Sequence, residues 1–281
     1  MKNLYTLAVL LFACYVSLPA QVETEFPMWE SPEFSTTFLR RHRIKAVRVT
    51  TEHERPGKKV HQSQAHYAYN ERAQLAEHIE WQGPDTSFIH RYHYNERGVL
   101  VWKQTTDKVW KKNYRSGYRF TSNQTIFQVK SYELLRNDER MLLDTRQYIY
   151  DTDSQLVAIR SMEQNRVVRV QRYTYTPEGQ IAQEILENAS GDTIRSVSYR
   201  YDAQGRIVYT QTDAARRQTF HYAYADNGQP LRIEWLEDDQ PRGVAHYTYN
   251  EEGFLVQLDR ELVPQPGQPT HIRQTFSYET Y

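Results

Sequence analysis

Tyr199-Arg-Tyr201-Asp-Ala-Gln-Gly205-Arg-Ile207 is the stretch that decides how this chain folds. Two aromatics one residue apart lead into a polar turn, and an aliphatic residue follows. The same pattern stands at Tyr92-His-Tyr94-Asn-Glu-Arg-Gly98-Val-Leu100 and at Tyr247-Thr-Tyr249-Asn-Glu-Glu-Gly253-Phe-Leu255. Further copies begin at Tyr67, Tyr118, Tyr148, Tyr173 and Tyr222, so the unit recurs about every 25 residues. A fixed period of this length marks one supersecondary unit copied along the chain. Phe276-Ser-Tyr278 is a partial ninth copy.

Each position of the unit has a physical reason. Aromatics at i and i+2 project from one face of a strand, so Tyr173 with Tyr175, or Tyr222 with Tyr224, is a period-two signal. The next residue is Asn70, Asn95, Asp151, Asp202 or Asn250, whose short side chain bonds the backbone two residues on and starts a turn. Gly98, Gly179, Gly205, Gly228 or Gly253 then supplies a positive φ, as a type I turn closed by a bulge requires. Ala73, Gln124 and Ser154 replace this glycine in three copies, and Asn123 is expected to take the left-handed role beside Gln124. Looser turns follow the return strands, at Gly83-Pro-Asp, Asn188-Ala-Ser-Gly191-Asp and Glu237-Asp-Asp-Gln-Pro241-Arg-Gly243. The Tyr222 copy reads as one residue longer, with its aliphatic at Leu231.

Return strands alternate in two phases: Leu231-Arg-Ile233-Glu-Trp235 reads one way, Val157-Ala-Ile159 and Val256-Gln-Leu258 the other. A sheet with one wet face keeps a single phase. Mixed phase therefore predicts bulges or strong coiling. The expected fold is all-β: tandem antiparallel hairpins forming one elongated, twisted and partly rolled sheet. A closed propeller fits less well, because its blades carry four strands over some 40 residues or more.

Composition agrees with a thin, wet protein. Mean hydropathy is −0.82 while aromatics make up 13% of the chain, so 22 tyrosines supply buried area and keep hydroxyls near water. Lys+Arg and Asp+Glu are both 35, a balance that lacks the basic footprint of a nucleic-acid binder.

The N-terminus reads as an export signal over residues 1–20. Lys2 is the basic tip, Leu4 to Leu18 is an apolar run, and Ala20 precedes Gln21 at a cleavage position. Leu11-Phe-Ala-Cys14 is a competing lipidation signal, with ordinary cleavage preferred because Phe12 is bulky. No transmembrane helix is expected after signal removal. Residues 21–43 form a leader and cap, with a helical turn or two over Ser35 to Arg43 that protects a sheet edge. The repeat domain spans 44–281, and Ile44-Lys-Ala-Val47-Arg-Val49 is its first strand.

Residues 199–207 are similar to the YD repeat of Rhs-type bacterial wall-associated proteins and of the animal teneurins. The resemblance covers roughly residues 60 to 281, and Gly205-Arg206 keeps the family's Gly-Arg pair. It implies an extracytoplasmic β-repeat scaffold, here a short bacterial form with neither the Rhs core nor a toxin domain.

Candidate chemistry is sparse. His66, His221 and His246 each precede the first tyrosine of a copy and read as solvated strand histidines. His90 and His93 point to opposite strand faces and do not chelate together. Asp151-Thr-Asp153 is a turn, and Glu237-Asp-Asp239 a solvated loop. Trp81, Trp102 and Trp235 fall on return strands as possible ligand-contact aromatics. No catalytic residue, cofactor site or metal site is expected. The function expected is a non-enzymatic exported scaffold that binds an envelope or extracellular protein or a polysaccharide, and not nucleic acid. The location is periplasmic, secreted or cell-surface. Two alternatives stand beside it: an outer-membrane β-barrel, and a glycan-active hydrolase whose carboxylates meet only in the fold.

Overall fold

A computed structural model describes residues 36–54, 61–82, 85–121, 125–135, 139–264 and 270–281. The export signal, Cys14, Ser35 and Asn123 lie outside the described residues. Among the described residues one short helix, α1 (Thr36–Arg41), precedes eighteen strands. The first six are β1 (Ile44–Glu54), β2 (His61–Tyr69), β3 (Leu75–Gln82), β4 (Asp85–Tyr94), β5 (Leu100–Asp107) and β6 (Lys112–Phe120). Next come β7 (Ile126–Leu134), β8 (Arg140–Tyr150), β9 (Leu156–Glu163), β10 (Arg166–Tyr175), β11 (Ile181–Asn188) and β12 (Thr193–Tyr201). The last six are β13 (Ile207–Asp213), β14 (Gln218–Tyr224), β15 (Pro230–Glu237), β16 (Gln240–Tyr249), β17 (Leu255–Leu262) and β18 (His271–Thr280).

Every strand pairs antiparallel with its neighbours in sequence, and β1 pairs with β18 from Ile44↔Thr280 to Glu54↔His271. The sheet is therefore a closed 18-stranded up-and-down barrel. This corrects the elongated, partly rolled sheet expected from the repeat. Strand twist and coiling have one hand, so equal hairpins added in series curl consistently, and closing the ring satisfies both edges at once. The cap reading changes with it. There is no open edge at β1 for α1 to protect; the helix packs Leu39 onto Ile44, Val47 and Ala73 at one rim of the barrel.

Burial separates the two faces of the sheet. Tyr118, Tyr148 and Tyr173 are buried, whereas Arg172, Arg200, His221 and His246 on the opposite face are exposed. Side chains converge on the concave side of a ring and diverge on the convex side. The tyrosine face is accordingly the inner wall.

The pairing also resolves the two phases. In each copy the second aromatic pairs with the aliphatic residue, as in Tyr69↔Leu75, Tyr150↔Leu156 and Tyr249↔Leu255. A bulge follows directly, and the first aromatic pairs three residues further on, as in Tyr148↔Ile159 and Tyr247↔Leu258. One added residue moves the inward set by one, so a strict period-two reading of the return strand fails. The Tyr222 copy has no extra residue: Tyr224↔Pro230 and Tyr222↔Ile233 keep the common register, and Leu231 is exposed on the outer face.

The tight turns form a bonded rim. At Asp202 the side chain accepts from the backbone N–H groups of Gln204 and Arg206, and the Arg206 guanidinium donates to it at 2.6 Å. Desolvation works against the Asp202 charge, but these donors and the guanidinium outweigh it and hold the carboxyl below the usual carboxylate range. Gln74, Gln180 and Gln229 each donate through Nε2 to the carbonyl of the glycine in the following turn, Gly98, Gly205 and Gly253. The second tyrosines complete the rim. Tyr94, Tyr150, Tyr175, Tyr201, Tyr224 and Tyr278 donate their hydroxyls to the carbonyls of Leu75, Ile126, Leu156, Ile181, Ile207 and Leu255.

Ala73 and Ser154 themselves take positive φ where glycine is missing, at 57° and 63°. At Gly205 (φ +79°) the backbone strains any branched residue, and an added Cβ would stand 3.0 Å from Gln180 Nε2, displacing the amide that bonds the Gly205 carbonyl. Gly205→Val is expected to destabilise the barrel by about 1–2 kcal/mol or more, and Ser154→Gly to stabilise it by about 1 kcal/mol. Chemical denaturation midpoints check both signs; unchanged midpoints in both variants would contradict the turn assignment.

Candidate functional site on the inner wall

The register places the first tyrosine of every copy opposite one particular residue of its return strand. In four copies that residue is aliphatic: Val129 opposite Tyr118, Ile159 opposite Tyr148, Ile233 opposite Tyr222 and Leu258 opposite Tyr247. Elsewhere the slot is polar, as with Lys103 opposite Tyr92, Glu184 opposite Tyr173 and Thr210 opposite Tyr199. Opposite Tyr67 it is His78.

His78 is 5% exposed and faces His90 directly across the β3–β4 ladder. Glu80 lies two residues beyond His78 on the same face. His78 Nε2 stands 3.5 Å and His90 Nε2 3.7 Å from Glu80 Oε1, so both imidazoles aim at one carboxylate oxygen. The three donor atoms lie within 4.8 Å of one another, and this is the metal-type His/Glu grouping found among the described residues.

The surroundings hold the rings in place. Tyr67 stacks on His78 with centroids 4.2 Å apart, and His78 stacks on His90 at 5.2 Å. His90 Nδ1 contacts Thr105 Oγ1 at 2.9 Å. The tautomer in which Nδ1–H donates to that hydroxyl leaves the Nε2 lone pair directed at the cluster. Lys103 Nζ sits 5.5 Å from the centroid of the Tyr92 ring on the same wall. His78 Nε2 is buried without a hydrogen bond. An imidazole nitrogen in that condition costs about 1–3 kcal/mol, and the Tyr118, Tyr148 and Tyr222 copies fill the same slot with valine or isoleucine at no such cost.

Two networks of other chemistry sit on the same wall. Glu184 accepts from the Tyr199 hydroxyl at 2.8 Å and from Gln171 Nε2 at 2.9 Å, so its oxygens are bonded. Glu237, expected as part of a solvated loop, is instead buried and accepts from Arg216 at 2.6 Å and Arg242 at 2.9 Å. The loop shrinks to a two-residue turn at Asp238 and Asp239, both at positive φ, which draws Glu237 into the strand.

Trp81 and Trp102 face outward on β3 and β5, while Trp235 is inward and packs with Phe220 and Ile233. The three tryptophans form no common platform. Trp102 stacks on His93 and carries the Arg115 guanidinium 4.1 Å above its ring. His221 and His246 are exposed on β14 and β16, with β15 between them. His90 and His93 take opposite faces, as alternation requires. The cluster has no signal in the sequence alone. His78 and His90 meet across a hairpin whose register depends on a bulge.

The site and the ring together define a closed antiparallel β-barrel with a polar, aromatic inner wall. No family model matches the chain. It is 34% identical over 100 residues to the double-stranded DNA deaminase toxin A of Burkholderia cenocepacia (strain H111), a stretch covering 33% of this chain and 6% of the toxin. Among solved structures it is similar to a porin-like protein from Bacteroides uniformis, with 9% identity, 84% of this chain and 98% of that chain covered, and a TM-score of 0.48. A porin-like protein from Bacteroides vulgatus is similar at 10% identity over 73% of this chain and 98% of that one, TM-score 0.35. The TcdB2-TccC3-Cdc42 complex matches 76% of this chain and 15% of that chain at 10% identity, TM-score 0.37. Identities this low carry no role from one chain to another.

If the His78 slot is an aliphatic slot in every other respect, His78→Val folds. Removing the orphaned nitrogen is expected to leave the metal-free unfolding midpoint equal to or above the parent's, with lost ring stacking offsetting part of the gain. A fall in midpoint typical of a core lesion, about 2 kcal/mol or more, would show that the imidazole is structural in its own right.

Proposed function

We propose that this protein is an exported, non-enzymatic β-barrel of the bacterial envelope, of the outer-membrane type. The closed barrel supports that reading better than the extended binding scaffold. The observation that carries it is the β1–β18 ladder, because a β-protein enters a lipid layer only when it has no unpaired edge. Rings of 16–18 strands leave an aqueous channel in porins. Among the described residues no helix is long and apolar enough to cross a membrane. The resemblance to YD repeats is retained within this proposal as the origin of the hairpin unit.

A second reading has its own observation. Arg91 pairs with Glu77, Arg172 with Glu187 and Arg273 with Asp259 on the outer face, all within strands. A lipid-facing charge costs about 2–4 kcal/mol near the midplane for Arg or Lys. In water the same pairs cost nothing to expose, and the barrel then serves as an aqueous vessel at the envelope.

Fractionation of cells expressing the full chain separates the two. The outer-membrane reading predicts recovery in the outer membrane, resistance to carbonate extraction, and a heat-dependent shift in gel migration. Recovery in the soluble periplasmic or secreted fraction as a monodisperse protein would contradict it and establish the aqueous barrel.

A further inference from the structure

We propose that His78, Glu80 and His90 bind one divalent transition metal of the zinc class on the inner wall, leaving an open coordination position toward the barrel interior. Three features carry this. The first is donor type and spacing. Zinc held tetrahedrally at its usual bond lengths places neighbouring donor atoms about 3.4 Å apart, and the two imidazole nitrogens stand 3.5 and 3.7 Å from Glu80 Oε1. The second is the buried Nε2 of His78, which makes no hydrogen bond and is aimed into the cluster. The third is the repeat itself: the same position is aliphatic in four copies, at Val129, Ile159, Ile233 and Leu258, and its polar occupants elsewhere have partners, Lys103 over the Tyr92 ring, Glu184 with Tyr199 and Gln171, and Thr210 with Tyr222. A barrel assembled for packing alone has no reason to exchange an aliphatic residue for an orphaned imidazole.

Supporting residues complete the site. Thr105 Oγ1 is placed to accept from the Nδ1–H of His90, the outer contact usual for a metal-ligating histidine. Tyr67 covers the outer ring of the stack. Lys103, on the neighbouring β5, adds a positive charge that opposes a cation and limits affinity. Two histidines and one carboxylate give three protein ligands, the number that leaves a position for water or for a donor atom of a molecule inside the barrel. Both imidazoles bind as neutral rings, so metal uptake is favoured above the range in which histidine protonates.

The test uses the purified full chain, stripped with a chelator and titrated with zinc chloride by calorimetry, and with Co2+ followed by its visible absorption. The expected result is one ion per chain, a Co2+ spectrum of four- or five-coordinate type, and displacement of Co2+ by Zn2+. His78→Val, Glu80→Gln and His90→Gln are each expected to weaken binding at least 100-fold, and Thr105→Val about tenfold. His221→Gln with His246→Gln is expected to leave binding unchanged. Unfolding midpoints of the metal-free variants confirm that each is folded. Binding no tighter than millimolar, or affinity unchanged in folded His78→Val, would overturn the proposal. The site depends on β2 to β5 alone, so its failure and the failure of the outer-membrane reading are separate results.

Discussion

Backbone pairing between the first and last strands is the constraint on which everything else rests. An antiparallel meander of hairpins leaves a row of unpaired donors and acceptors at each end. Here the two rows meet, from Ile44↔Thr280 to Glu54↔His271. The chain end reinforces the seam: the Tyr281 N–H donates to the Arg43 carbonyl at 2.9 Å and its hydroxyl to the Tyr69 carbonyl at 2.7 Å. Leu39 and Phe38 from α1 cover the same rim, with Phe38 edge-on to Phe254 at 5.1 Å. Closure gives the sheet an inside, and only with an inside does alternation along each strand separate a buried tyrosine wall from an exposed charged one.

Much of the local structure could be read from the chain. The aromatic pair, the Asn or Asp and the glycine located tight turns at Asn70, Asn95, Asp151, Asp202 and Asn250, each confirmed by a bond from its N–H to the carbonyl four residues on. The ring stood only as an alternative, the outer-membrane β-barrel, because closure depends on twist and curl accumulated over the whole sheet, and no single unit encodes it. Register was misread for a related reason. The bulge after each aliphatic residue shifts the inward set by one, so Leu231 looked like a core residue and is exposed, while Pro230 takes the inward place. The role of the second tyrosine was also hidden. Its hydroxyl spends its bond on a backbone carbonyl of the preceding copy, which explains tyrosine over phenylalanine at six of these positions.

The candidate site shows the same division. Each of its residues was visible, and none was suspicious alone. His78 and Glu80 lie in the charged run Glu77-His-Ile-Glu80, and the nearest histidine to His90, His93, is on the opposite face. Three-dimensional register brings them to one point, and comparison between copies then makes the exchange of an aliphatic residue for histidine conspicuous. Glu237 is a second case, where a turn two residues long converts a solvated acid into a buried anchor for Arg216 and Arg242. The exceptions to the aliphatic slot lie on the inner wall, and function is to be sought there whichever medium surrounds the barrel.

Closure itself is the claim to test most directly. Thr50 and Thr275 are paired across the seam and are separated by nearly the whole chain. With Cys14 replaced by serine, the Thr50→Cys/Thr275→Cys double variant should form an intramolecular disulfide on mild oxidation, giving a compact, reducible band that neither single variant shows. Two thiols that stay fully titratable in the folded, oxidised sample would contradict a closed ring and return the sheet to an open form.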